Sequence, residues 1–97
     1  MVYQKFIIET DDIIGDCLII AKCTYHKQLA TDISKVKGGG MWTKKDSTIT
    51  LFGESHDFGK ANIEDIQKCI DEDKVYWDKS LTKLVSNEIS FKIDLYN

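Results

Sequence analysis

Ninety-seven residues are enough for one hydrophobic core and too few for two. With 42% hydrophobic and 30% charged residues, the composition is that of an ordinary globular domain. The formal net charge of −3 argues against a general nucleic-acid binder, which needs a broad basic face, so no nucleic-acid partner is expected.

Val2 to Thr10 holds Val2, Tyr3, Phe6, Ile7 and Ile8 and predicts a first strand, stopped at Asp11-Asp12. Ile13-Ile14-Gly15-Asp16 turns the chain into a second strand, Cys17 to Tyr25, whose unbroken Leu18-Ile19-Ile20-Ala21 asks for cover on both faces and so for a central place. Leu29 and Ile33 are four residues apart, which predicts a short helix over Lys27-Ser34 leaning on the sheet. Gly38-Gly39-Gly40 then leads into Met41-Trp42-Thr43, a charged turn Lys44-Lys45-Asp46, and the alternating run Ser47 to Phe52, together a hairpin. Gly53 to Gly59 is a glycine-bounded loop carrying Ser55, His56 and Asp57. Asn62 offers a cap, Glu64 and Asp65 suit the positive end of a helix, and Ile63, Ile66 and Ile70 share a face, which predicts a second helix over Asn62-Asp71. Val75-Tyr76-Trp77 reads as a short strand and Glu88 to Tyr96 as another, with Ser80 to Val85 either a helical turn or its hairpin partner. The expected fold is therefore α+β: one domain over residues 1–97, a mixed, mostly antiparallel sheet of about five to six strands packed by two helices, and residues 78–97 as a C-terminal extension.

The three cysteines, Cys17, Cys23 and Cys69, form no C-x-x-C pair and have no His/Cys cluster to complete a zinc site, and they read as reduced core thiols. The acidic runs Glu64-Asp65 and Asp71-Glu72-Asp73 lack EF-hand spacing and read as solvated helix-end charges. No metal and no cofactor is expected. The N-terminal residues lack a basic segment followed by a long apolar one, and no apolar run is long enough to span a bilayer, which predicts a cytoplasmic protein without a membrane partner.

His26 stands out because it sits at a strand-to-helix junction, where it can lie at a sheet edge beside freshly exposed backbone N–H groups, a placement suited to an imidazole that handles an anion. The plain alternative is a strand-end histidine holding a backbone carbonyl. The triple glycine equally fits a bulge or close packing of Trp42. Ser55, His56 and Asp57 are adjacent and cannot converge as nucleophile, base and orienter, which argues against a catalytic triad. Trp42, Trp77 and Tyr76 are most simply core or sheet-face aromatics.

The order of these signals resembles the phosphohistidine phosphatase family that includes the Janus and Ocnus proteins. The carrying residues are Val2-Tyr3-Gln4-Lys5-Phe6-Ile7-Ile8, Tyr25-His26, Gly38-Gly39-Gly40, and Ile49 to Ala61 with its G-x-S-x-x-[FY]-G-x-A pattern, followed by a helix and Val75-Tyr76-Trp77. The resemblance spans Val2 to Trp77. It implies that His26 is a general base for metal-free attack of water on a nitrogen-bound phosphoryl group, cradled by amides near His26 and Lys27 and around Ser55, His56 and Asp57, with Lys5, Gly39 and Gly40 completing the substrate site. The implied partner is a phosphorylated protein or a small phosphate ligand, and the implied assembly a monomer or homodimer. The chain departs from the family at Met41, where a basic residue is usual, at Asp57, where a small one is, and at the first-strand lysine, whose position falls on Gln4 or, with a slip of one, on Lys5. A non-catalytic module that keeps the fold for binding is the alternative reading.

Overall fold

A computed structural model describes residues 3–78, 82–83 and 89–95. Seven strands form one sheet: β1 (Tyr3–Asp11), β2 (Gly15–Cys23), β3 (Val36–Lys45), β4 (Thr48–Phe52), β5 (Val75–Trp77), β6 (Thr82–Lys83) and β7 (Ser90–Asp94), in the spatial order β6-β5-β2-β1-β3-β4-β7. The first four are antiparallel neighbours, whereas β5 joins β2 and β7 joins β4 in parallel. The parallel β5 pairing follows a crossover through the one α-helix among the described residues, α1 (Ile63–Asp71).

Two expectations are corrected. The sheet exceeds the expected strand count because of β6, a two-residue pairing with β5 too short to leave a periodic pattern. Lys27-Ser34 is not a helix: it holds two separate 3₁₀ turns, His26–Gln28 and Ile33–Lys35. The cause lies in β1. Glu9, only 8% exposed, accepts hydrogen bonds from the Thr31 and Asp32 N–H groups at 2.8 and 3.2 Å, the donors that a continuing helix would have turned back on itself. The proposed apolar stripe also has a single anchor, since Leu29 is buried while Ile33 is exposed.

The local chemistry of the other elements follows the sequence. Asp11 closes the first turn, its carboxylate accepting from Ile13 N at 2.8 Å and Ile14 N at 3.1 Å. Asn62 caps α1 by accepting from Glu64 N at 2.8 Å and Asp65 N at 3.3 Å. Phe6, Ile8, Leu18, Ile20, Leu51 and Ile66 make a core between α1 and one sheet face, all fully buried, each side chain contributing about 1.5–3 kcal/mol relative to exposure. Trp42 of β3 meets Trp77 of β5 edge to face with ring centroids 5.6 Å apart, although two strands separate them. The sheet must therefore curl around this face. The opposite face buries Ile7, Cys17, Ile19, Ala21 and Leu29, with Phe58 and Tyr76 packed against them. Its cover is irregular chain rather than helix, and this is the side on which His26 lies. The two candidate readings of Ser80 to Val85 fall largely outside the described residues.

Candidate functional site

His26 opens the first 3₁₀ turn and is 4% exposed. Gln28 fixes the entry to that turn, its side-chain oxygen accepting from the N–H groups of Thr24 at 2.8 Å and Tyr25 at 2.9 Å. The imidazole lies over the glycines of β3: Nε2 is 2.7 Å from the Gly40 carbonyl oxygen. A carbonyl can only accept, so Nε2 carries the proton and, in the neutral ring, Nδ1 keeps its lone pair. Nδ1 has no hydrogen-bond partner among the described residues and is not sealed from solvent. Burial holds the His26 pKa below 6.5; the Gly40 hydrogen bond opposes this, Lys5 reinforces it and Asp57 opposes it. A neutral ring with a free Nδ1 is the state in which histidine takes up a proton.

The triple glycine owes its composition to this packing. A Cβ on Gly39 would stand 2.5 Å from the Phe6 carbonyl oxygen and 3.2 Å from His26 Cδ2, and one on Gly40 would stand 2.6 Å from the Phe52 carbonyl oxygen. Both contacts involve backbone that cannot yield. The structure thus gives Gly39 and Gly40 steric and anchoring duties, and Gly39 N–H is already spent on Gly59 O at 3.0 Å.

The Gly53–Gly59 loop is stitched to the same strand. Ser55 N–H donates to Gly39 O at 3.0 Å and to Gly59 O at 3.2 Å, and Gly59 N–H returns to Ser55 O at 2.9 Å. The buried Ser55 hydroxyl accepts from Phe58 N–H at 3.1 Å. Ser55 is therefore a loop fastener whose own amide has no capacity left for an anion. At the tip, His56 and Asp57 are exposed, and their N–H groups donate to nothing among the described residues. Asp57 shares a surface cleft of about 400 Å³ with Tyr25, Lys27 and Gln28, the residues on either side of His26. Lys27 and Asp57 thus meet at one cleft; His26 and His56 do not line it, although Asp57 is close enough to His26 to act on its charge. Adjacent Ser55, His56 and Asp57 do not converge: the serine points inward and the other two outward.

The pleat decides between Gln4 and Lys5. Lys5 shares the face of Ile7 and His26, close enough to act on the imidazole, with its ammonium 5.2 Å from the centre of the Tyr3 ring. Gln4 points to the other face, in the cleft beside Trp42 and Trp77. Directly across from Lys5 on β3 stands Met41, so an apolar thioether occupies the Lys5 side of the sheet next to Gly53. Sequence reasoning missed Glu9, which shapes this region by holding Thr31 and Asp32; an isolated glutamate within an apolar strand was its signal. Among the described residues no group of three or more His, Cys, Asp or Glu side chains could hold a metal ion. The cysteines are free, with Cys17 and Cys69 buried and burial pushing the Cys69 thiol up to about 12.

No family model, curated protein or solved structure matches the chain. Among the described residues no helix is long and apolar enough to cross a membrane.

Proposed function

We propose that this domain binds a phosphoryl group at the cleft between Tyr25-Lys27 and the His56-Asp57 tip and hydrolyses it with His26 as general base, the substrate being phosphohistidine on a cytoplasmic phosphoprotein or a related nitrogen-bound phosphate. The observation that carries the reading is a cleft where Lys27, next to His26, faces Asp57, which acts on the charge of His26; among the described residues the His26 Nδ1 has no hydrogen-bond partner and the His56 and Asp57 N–H groups have no acceptor. Phosphoryl transfer asks for positioning and charge stabilisation, and fixed amides supply both without metal. Water placed between Nδ1 and the phosphorus would lose a proton to His26 as its oxygen bonds to phosphorus and the P–N bond breaks, the leaving imidazole nitrogen taking up a proton to give free histidine and inorganic phosphate. The family resemblance agrees with this assignment and adds phosphohistidine as the substrate class.

The site differs from the expected one in two respects. A three-residue 3₁₀ turn supplies individual N–H groups rather than a helix dipole, and Ser55 supports the loop instead of binding the anion. Met41 and Asp57 favour a second reading, in which the cleft binds a phosphorylated partner without turning it over. A phosphohistidine assay on wild type and His26→Ala separates the two. The phosphatase reading expects a loss of about 10²–10⁴-fold in turnover, the usual worth of a general base. Undiminished hydrolysis by His26→Ala removes the imidazole from the mechanism, and phosphate-induced NMR shifts at Lys27, His56 and Asp57 without any wild-type turnover support binding alone.

A further inference from the structure

Asp57 is a carboxylate at the mouth of a cleft assigned to an anion. Among the described residues it makes no ion pair and its side chain accepts no hydrogen bond, and Lys27, on the same cleft, does not neutralise it within ion-pairing distance. A bare phosphate dianion held on the His56 and Asp57 N–H groups therefore meets an uncompensated negative charge on the same residue that supplies one of its donors. The cleft, about 400 Å³ in volume, is larger than a phosphoryl group requires and is walled by the exposed ring of Tyr25, 63% accessible, and the side chain of Gln28. Space, an aromatic wall and a free carboxylate beside the anion cradle fit a second, positively charged side chain arriving with the phosphoryl group.

Resting on the phosphoryl-binding reading above, we infer that Asp57 is a specificity-determining residue that selects phosphorylated peptides with a basic residue next to the phosphorylated side chain and disfavours free phosphate. The cation of the flanking residue offsets the carboxylate, so the peptide gains a contact where the free dianion meets repulsion. Lys27 and the tip amides hold the phosphoryl end; Asp57 reads its neighbour.

The test is equilibrium binding to the full chain, followed by NMR at the Lys27, His56 and Asp57 amides. The ligands are inorganic phosphate and two peptides carrying the same non-hydrolysable triazole phosphonate analogue of phosphohistidine, flanked either by lysines or by glutamates. Wild type is expected to prefer the lysine-flanked peptide about fivefold, Asp57→Asn to bring the two within about twofold, and Asp57→Glu to keep the preference, as for a partly exposed ion pair. Inorganic phosphate should bind Asp57→Asn about threefold tighter than wild type. Equal preference in wild type and Asp57→Asn overturns the inference, as does failure of the lysine-flanked peptide to bind wild type at millimolar concentration. Because the readout is binding, a catalytic failure is recognised separately: turnover unaffected by His26→Ala with the lysine preference intact rejects the base and keeps the selector.

Discussion

At the scale of single residues, one hydrogen bond of His26 bears on both readings that the sequence offers as alternatives. Its Nε2 holds the Gly40 carbonyl, as a structural strand-end histidine does, and that same bond leaves Nδ1 as the basic atom. The packing contact thereby fixes the tautomer that the proposed base catalysis would need. A pH dependence follows. Burial lowers the His26 pKa from 6.5, so the ring remains neutral at pH 7 and loses basicity only as pH falls through that lowered value. Hydrolysis should therefore be flat from pH 7 to 8 and decline on the acidic side below pH 6.5, in kcat/KM measured on phosphohistidine; a decline starting above 7 would contradict a desolvated ring. Gly39 gives a second residue-level prediction. Its missing Cβ would lie 2.5 Å from the Phe6 carbonyl oxygen, so Gly39→Ala must displace β1 or β3 and should cost about 1–3 kcal/mol in urea unfolding. A glycine kept only for amide contact with phosphate would tolerate alanine in the unliganded protein.

At the scale of elements, β1 to β5, β7 and α1 were legible because each carries a pattern that local chemistry alone can set, whereas the two-residue β6 carries none. Ile63, Ile66 and Ile70 mark one helix face behind an Asn62 cap, and Ile89, Phe91, Ile93 and Leu95 alternate along β7. The segment after His26 was misread because its conformation is decided at a distance. Leu29 and Ile33 match a helical spacing, yet Glu9, more than twenty residues earlier, takes the Thr31 and Asp32 N–H groups and leaves two isolated 3₁₀ turns. Likewise, Lys27 and Asp57 could be singled out from the sequence, but the internal commitment of Ser55 N–H to Gly39 and Gly59 could not, because it depends on how the loop meets β3. Glu9→Ala should therefore free the Thr31–Asp32 corner and cost about 1.5–3 kcal/mol, the range for hydrogen bonds to a charged acceptor. Hydrogen exchange at the Thr31 and Asp32 amides, normalised to global stability, checks it: selective acceleration is expected there, with α1 amides unchanged.

At the scale of the molecule, strand order was the least legible feature, because the pairing of β5 with β2 and of β7 with β4 depends on a crossover and a curl that no local period records. Polar contacts tie α1 to the sheet on one face and His26 to β3 on the other, and the acid response should show both. Lys37 of β3 joins Asp16 of β2 at 2.8 Å and Asp65 of α1 at 3.1 Å, while Thr10 donates to Asp16 at 2.8 Å. Burial alone would raise the Asp16 pKa, but the hydrogen bonds from Lys37 and Thr10 outweigh it and bring the value below 3.8. A depressed carboxylate contributes stability that is complete above its unfolded value and lost as pH falls through the folded one. His26 has the same sign at higher pH: its folded value lies below 6.5, so stability is complete above 6.5 and declines as the ring is forced to protonate. Acid unfolding should thus proceed in two stages, a shallow loss beginning below pH 6.5 and a steeper one below pH 3.8, where Asp16 gives up its proton advantage. Thermal melts from pH 3 to 8 should show both stages in wild type. His26→Gln, which keeps a donor for the Gly40 carbonyl but cannot titrate, should lose the first and retain the second, and a variant still declining below pH 6.5 would place the responsible group elsewhere.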